Sequence, residues 1–436
     1  MEKQKQKIVF FVQTHKPIGG SQVLFLDLAS YISNNFSDKY DVYYINYSNP
    51  IVNELYGSSN INFCDINCDY SQFENAVFFT PLNYVFYIMS HLRKVKSAKI
   101  CLYFYHPQIF DWLGMQIPSA KPNFEPFLQL LQRTHGCCFM DSSNLISANR
   151  LCETKFEPDY VPVTLHSTNG VFKKCSATCK DRIRIGWLGR LDYDKMYSVL
   201  NLADNLIALE QPKPIDFYVI GDGNAKSLIK LSKYCPQIRF IFTSYMYGEE
   251  RDAFLRKNID IVVAMGISAI DVALQGIPTL VPLVSGTQFR DDKFYYLFDT
   301  TGFSLGWNPQ DAESIGCKAT NFEKVIKDIY EDGKKQAYGD ACREFAVKEF
   351  SLARGVALFL SAIEKTTLTV EDCMKCGMIS RNINGFRLYC AIRHRHNYED
   401  FHEFSARIKR INKTRGITKK LKRIKAELKR TFSKRK

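Results

Sequence analysis

The chain has 436 residues, 46% of them hydrophobic and 24% charged, with a formal net charge of +14. That length exceeds one ordinary domain and fits two of about 180 residues, and the apolar content excludes a disordered chain. The fourteen cysteines are scattered and the apolar run Ile8 to Val12 is shorter than a signal core of about 7–15 residues, so free thiols in a reducing cytoplasm are expected.

In chain order, Lys7 to His15 reads as a buried strand, followed by the turn Pro17-Ile18-Gly19-Gly20 and a helix carrying Val23, Leu24, Leu28 and Tyr31 at helical spacing. Strands are expected next at Asp41–Asn46, Ile61–Phe63, Ala76–Phe79, Ile100–His106 and Gly136–Met140, with helices between several of them. The run Ala76 to Met89 is broken by Thr80, Pro81 and Asn83, too short a stretch to span a bilayer. Glu157 to Ser167, with Pro158 and Pro162, reads as the crossing into a second domain. There the pattern repeats: strands at Arg182–Leu188, Ile215–Ile220, Gln237–Phe242, Ile259–Ala264 and Thr279–Pro282, and helices at Met196–Leu209 and Ala225–Tyr234. Alternating strands and helices predict doubly wound parallel sheets, whose ligands bind beyond the carboxyl ends of the strands.

Two segments stand at such ends, Gly189-Arg190-Leu191-Asp192-Tyr193-Asp194-Lys195 and Met265 to Pro278. The N–H groups at a helix start carry partial positive charge and suit an anion such as a diphosphate. Arg190 and Lys195 add two full charges. Gly266 allows close backbone approach, Ser268 offers a hydroxyl, and Asp271 offers a carboxylate for a diol. In the first half, Gly19 and Gly20 would let a loop pass close to a phosphate, and His106, ending a strand, would face the cleft as a hydrogen-bond donor or proton carrier.

The run Pro17 to Gln22 with Leu26-Asp27-Leu28-Ala29, then Gly189-Arg190 with Lys195, Ile220-Gly221-Asp222-Gly223, and Gly266 to Pro278 follow the order seen in retaining glycosyltransferases of the GT-B fold, family four especially. The chain resembles them over roughly residues 7 to 363. The resemblance implies an α/β protein of two facing Rossmann-like doubly wound domains with a basic helical C-terminal extension. Residues 1–160 would form the acceptor-side domain, 161–181 a linker, 182–363 the nucleotide-sugar domain, 364–406 a helical extension and 407–436 a basic tail. It further implies sugar transfer from a nucleoside-diphosphate donor with retention, Arg190 and Lys195 stabilising the departing diphosphate and Gly19, Gly20, Gly221, Gly266, Ser268 and Asp271 binding the donor. The family carries two glutamates eight positions apart; the later falls on Asp271 and the earlier on Val263, which leaves a non-catalytic binding or scaffold subunit as the rival reading, and an epimerase or hydrolase as a third.

No metal or other cofactor is expected, since Arg190 and Lys195 already neutralise a diphosphate. Asp192-Tyr193-Asp194 spells the rival metal-binding motif, and Cys373, Cys376, Cys390, His394 and His396 have zinc-ligand chemistry but no recognisable zinc-module spacing. In the tail, residues 407–436 carry fifteen Lys and Arg against one acidic residue, so the whole net charge resides there. Ile417, Leu421, Ile424, Leu428 and Phe432 form one face of a helix that is otherwise basic, a pattern suited to an anionic membrane surface. Nucleic acid is the rival polyanion and is not the expected partner, because the tail has one aromatic and the fused domains handle sugars. The expected setting is the cytoplasmic face of the plasma membrane, with a lipid-linked or oligosaccharide acceptor in surface polysaccharide synthesis.

Overall fold

The computed structural model describes residues 5–12, 20–46, 56–57, 59–115, 124–151, 153–165, 175–210, 213–232, 236–380 and 382. The first sheet is built from β1 (Gln6–Phe11), β2 (Tyr40–Asn46), β3 (Asn62–Asp65), β4 (Val77–Pro81), β5 (Lys99–Phe104) and β6 (Cys137–Phe139). They lie in the order β3-β2-β1-β4-β5-β6 with every neighbouring pair parallel. The second sheet contains β7 (Ile183–Leu188), β8 (Ile215–Ile220), β9 (Ile238–Thr243), β10 (Ile261–Ala264), β11 (Thr279–Val281), β12 (Lys293–Tyr296) and β13 (Thr320–Asn321). Its order is β13-β12-β11-β10-β7-β8-β9, parallel from β9 to β11 and antiparallel at β12 and β13.

Helices cover both faces of such sheets, so their inner strands are apolar along their length rather than alternating. Both β4 and β8 are buried at every position. In each sheet the chain winds outward from its first strand and then returns to that strand's other side, making β1 the neighbour of β4 and β7 the neighbour of β10. The turns after these pairs diverge to opposite faces and leave a crevice at the carboxyl edge.

The packing changes sheets at Ser351, not at the expected boundary of 363. The helix Lys335–Phe350 belongs to the second domain, where Cys342, Ala346 and Phe350 are fully buried. The next helix, Leu352–Lys365, turns Val356, Phe359 and Ile363 into the first domain's core. Phe359 stacks on Phe10 with ring centroids 5.2 Å apart and meets Phe79 edge-on at 4.8 Å. The described part of the expected 364–406 extension is also integral to the first domain. Ile100 N–H donates to Leu368 O and Val370 N–H to Ala98 O, both at 2.9 Å, and Leu368, Val370, Cys373 and Ile379 are fully buried. Amphipathic spacing marks a buried helix face without saying which sheet it covers, hence the displaced boundary. Residues 383–436, with Cys390, His394, His396 and the tail positions Ile417, Leu421, Ile424, Leu428 and Phe432, lie outside the described residues. Among the described residues no helix is long and apolar enough to cross a membrane.

Candidate active site

β7 ends at Leu188, and the helix Tyr193–Ala208 follows with Asp192 as its N-cap residue. That start precedes the expected Met196, because the N–H groups of Lys195 and Met196 both donate to Asp192 O at 3.0 Å. Lys195 therefore lies in the first helical turn, where the N–H dipoles disfavour a cation. Burial pushes its ammonium pKa down, Arg190 adds to the lowering, and Asp194 and Asp192 oppose it. Arg190 is 61% exposed and donates through Nη1 to Asp192 Oδ2 at 2.9 Å. The other Asp192 oxygen accepts from Asn224 N–H at 3.4 Å, so both oxygens of the first carboxylate in Asp192-Tyr193-Asp194 have partners within the protein.

The turn after β8 braces this loop backbone to backbone. Gly189 N–H donates to Ile220 O at 3.2 Å, Leu191 N–H to Asp222 O at 3.0 Å, and Ala225 N–H to Leu191 O at 2.8 Å. A Cβ on Gly221 would lie 2.0 Å from Gly189 O, so only glycine fits there. Gly221, expected to bind the donor, shapes the Arg190 loop from beneath. Asp222 holds the neighbouring turn in place, accepting from Tyr245 N–H at 3.0 Å and from Lys226 Nζ at 2.6 Å.

Across the switch point, Gly266 caps the helix Ile267–Leu274 with φ 58° and ψ −143°, a conformation open to glycine and strained for other residues. Its N–H donates to Leu305 O at 3.0 Å. Ser268 is half-buried in the first turn of that helix. Asp271, farther along it, accepts through Oδ2 from Arg251 Nη1 at 2.8 Å, while Arg251 Nε donates to Asp252 Oδ1 at 2.8 Å. One oxygen of the candidate diol-binding carboxylate is thus held by an arginine on the preceding helix, Gly248–Asn258. No sequence signal pointed to Arg251, twenty positions upstream. Val263, where the resemblance implies a glutamate, is fully buried within β10 beside Trp187 and Leu280.

His106 stands two residues past β5 of the first sheet. Its Nδ1 accepts from Gln108 N–H at 3.1 Å, so the neutral ring carries its proton on Nε2. Burial lowers its pKa below the ordinary value near 6.5, Asp194 opposes that, and Arg190 and Lys195 add to the lowering. Three charged side chains of the second domain therefore lie within electrostatic reach of this first-domain histidine. Gly20 is the first residue of the helix Gly20–Asn35, exposed and with open space where a Cβ would stand. Gly19 lies outside the described residues.

No protein-family model matches the sequence, and no curated protein sequence matches it. Solved structures do match the architecture. The apo form of the lipopolysaccharide outer core galactosyltransferase WaaB is 11% identical with a TM-score of 0.51, covering 82% of this chain and 99% of its own. A glycosyltransferase from Rickettsia africae is 12% identical with a TM-score of 0.50, covering 83% of this chain and 99% of its own. At such identity the likeness concerns the fold: two facing Rossmann-like domains, the architecture known as GT-B.

Proposed function

We propose that this protein transfers a sugar from a nucleoside-diphosphate donor to a glycan acceptor, with retention and without a metal. The observation that carries the reading is the group at the carboxyl end of β7: Arg190, Lys195 and the N–H groups at the start of the helix Tyr193–Ala208 stand together there, with Asp192 and Asp194 balancing the two side-chain charges in the empty protein. Burial, Arg190 and the helix N-terminus disfavour the charge on Lys195 beyond what Asp194 and Asp192 return, and a bound anion would relieve that cost. A diphosphate leaving group gains negative charge as the glycosidic bond stretches, and cations fixed in advance stabilise that charge without reorganising. Neutral His106, on the first-domain side, would offer its Nε2–H as a hydrogen-bond donor to a sugar hydroxyl, since its Nδ1 already accepts from Gln108 N–H.

The test is thermal stabilisation of the purified chain by UDP, GDP, CMP and dTDP. The matching nucleotide, at a hundred times its dissociation constant, adds about 2.7 kcal/mol to the folded state. No stabilisation by any of the four would refute the donor site. The burial of Val263 where the family has a glutamate favours a second reading, a scaffold subunit that binds nucleotide without transfer. That reading gains if the protein is stabilised by a nucleotide yet neither transfers nor hydrolyses the corresponding donor.

The acceptor we propose is a lipid-linked intermediate of a surface polysaccharide, reached from the cytoplasmic face of the membrane by the basic tail. Because all excess charge lies in residues 407–436, deleting them is expected to release the chain from anionic vesicles while leaving transfer to a soluble acceptor intact. Salt should weaken binding of the full chain, since exposed charges are screened within about 8 Å at physiological ionic strength. Continued sedimentation of the shortened chain with vesicles would move the membrane contact elsewhere.

A further inference from the structure

Residues 301–306 cross from the second domain to the first and return to the Gly266 turn. On the first-domain side, Ser142 N–H donates to Gly302 O at 2.8 Å, the hydroxyls of Ser142 and Ser304 lie 2.7 Å apart, and Ser143 N–H donates to Ser304 Oγ at 3.3 Å. Ser304 is fully buried, and a Cβ on Gly302 would stand 2.6 Å from the Ser142 side chain. Between them Phe303 adopts φ 59°, a left-handed backbone that costs a non-glycine residue roughly 1–2 kcal/mol. Surrounding contacts hold it there: its ring meets Tyr160 at 5.7 Å and Phe350 at 6.0 Å, and the Arg354 guanidinium lies 5.7 Å from its centroid. Strain maintained by contacts from both domains marks a segment whose shape depends on their contact.

The segment leads directly to the candidate donor loop. Leu305 O accepts the Gly266 N–H, and a Cβ on Gly306 would lie 3.4 Å from Met265 Cβ. Ser304, whose hydroxyl is held by the first domain, immediately precedes Leu305, whose carbonyl holds the Gly266 turn.

We propose that residues 301–306 are a positioning strap: contact of Ser142 with Gly302 and Ser304 sets the Leu305 carbonyl and thereby orders the turn at Met265–Ser268, so that donor binding in the second domain depends on engagement of the first. Ser142 and Ser304 act through Gly266 and touch no donor themselves. The importance of that turn for the donor rests on the function proposed above, but the mechanical link does not.

Amide hydrogen exchange on the full-length, ligand-free chain tests the link. Ser142→Ala, a change confined to the first domain, is expected to speed exchange across residues 265–271 about tenfold while β7 and β8 keep their protection. Ser304→Ala, which also removes the acceptor of Ser143 N–H, should do at least as much, and the double variant should exchange no faster than Ser304→Ala alone, because the hydroxyl contact is shared. Unchanged exchange at 265–271 in Ser142→Ala, or an increase spread evenly over the second domain, overturns the strap. In the nucleotide panel, the single variants should bind the stabilising nucleotide about five- to tenfold more weakly; failure of the wild-type chain to bind any nucleotide would refute the functional reading while the exchange result still decides the strap.

Discussion

Alanine at Lys195 is expected to lower turnover about 10²–10³-fold with the fold intact, and alanine at Arg190 to do the same. In the proposed reaction both side chains act on the leaving diphosphate, where charge is greater in the transition state than in the bound donor, so the loss should appear in kcat as well as in kcat/KM. Lys195 has the stronger claim on mechanism. Its ammonium is partly withdrawn from water at a helix start, and burial and Arg190 lower its pKa by more than Asp194 and Asp192 raise it, so the charge costs stability in the empty protein. Removing it should leave the melting temperature unchanged or raise it. Arg190, exposed and paired with Asp192 across 2.9 Å, should cost little stability, as exposed ion pairs do. Steady-state kinetics with EDTA present separates the cations from a metal. Persistent wild-type activity and impaired variants are expected; full loss in EDTA restored by Mg²⁺ would shift the role to Asp192 and Asp194, and near-normal turnover of both variants would remove the site altogether.

How far this site could be read beforehand follows from what kind of information each part needs. An apolar run ending in a glycine turn and followed by a helical stripe is local, so the strands before Arg190, Gly221 and Gly266 and the position of those residues at carboxyl edges were legible. The resemblance added the GT-B pairing of the domains. Contacts between distant segments were not legible. The Arg251 grip on Asp271, the backbone seating of Gly221 against Gly189 and the crossing of residues 301–306 to Ser142 each join segments that local pattern cannot connect. Strands β12 and β13 were also missed: Lys293–Tyr296 is short and Thr320–Asn321 is only two residues, and both pair antiparallel at a sheet edge. Helix periodicity showed that Val356, Phe359 and Ile363 are buried, but three-dimensional packing decides that they cover the first sheet.

At the opposite, amino-terminal edge of the second sheet, replacing Asp260 by alanine is expected to cost about 3–5 kcal/mol of stability without altering nucleotide affinity of the folded protein. Asp260 is fully buried immediately before β10. Its Oδ1 accepts from Arg184 Nη2 at 2.8 Å and Lys335 Nζ at 2.6 Å, and its Oδ2 from Arg184 Nε and the Tyr330 hydroxyl, each at 3.0 Å. One carboxylate therefore ties β7 to the helices Phe322–Tyr330 and Lys335–Phe350. Without it, Lys335, only 5% exposed, keeps its charge beside the Ser176 carbonyl, and an uncompensated buried cation is what makes such a deletion expensive. Against a total stability of about 5–15 kcal/mol the loss is large. Acid adds an independent check. Burial raises the Asp260 pKa, but hydrogen bonds from Arg184 and the charge of Lys335 outweigh it and hold the carboxyl below its ordinary 3.8. A group depressed in this way contributes its stability above the unfolded pKa and loses it as pH falls through the folded one. The wild-type chain should thus lose this contribution below about pH 4, whereas Asp260→Ala, lacking the group, should show a flatter dependence there. Urea unfolding followed by the buried Trp187 and Trp307, both in the second domain, measures both effects, and a loss under about 1 kcal/mol at neutral pH would mean that the two cations find water once the carboxylate is gone.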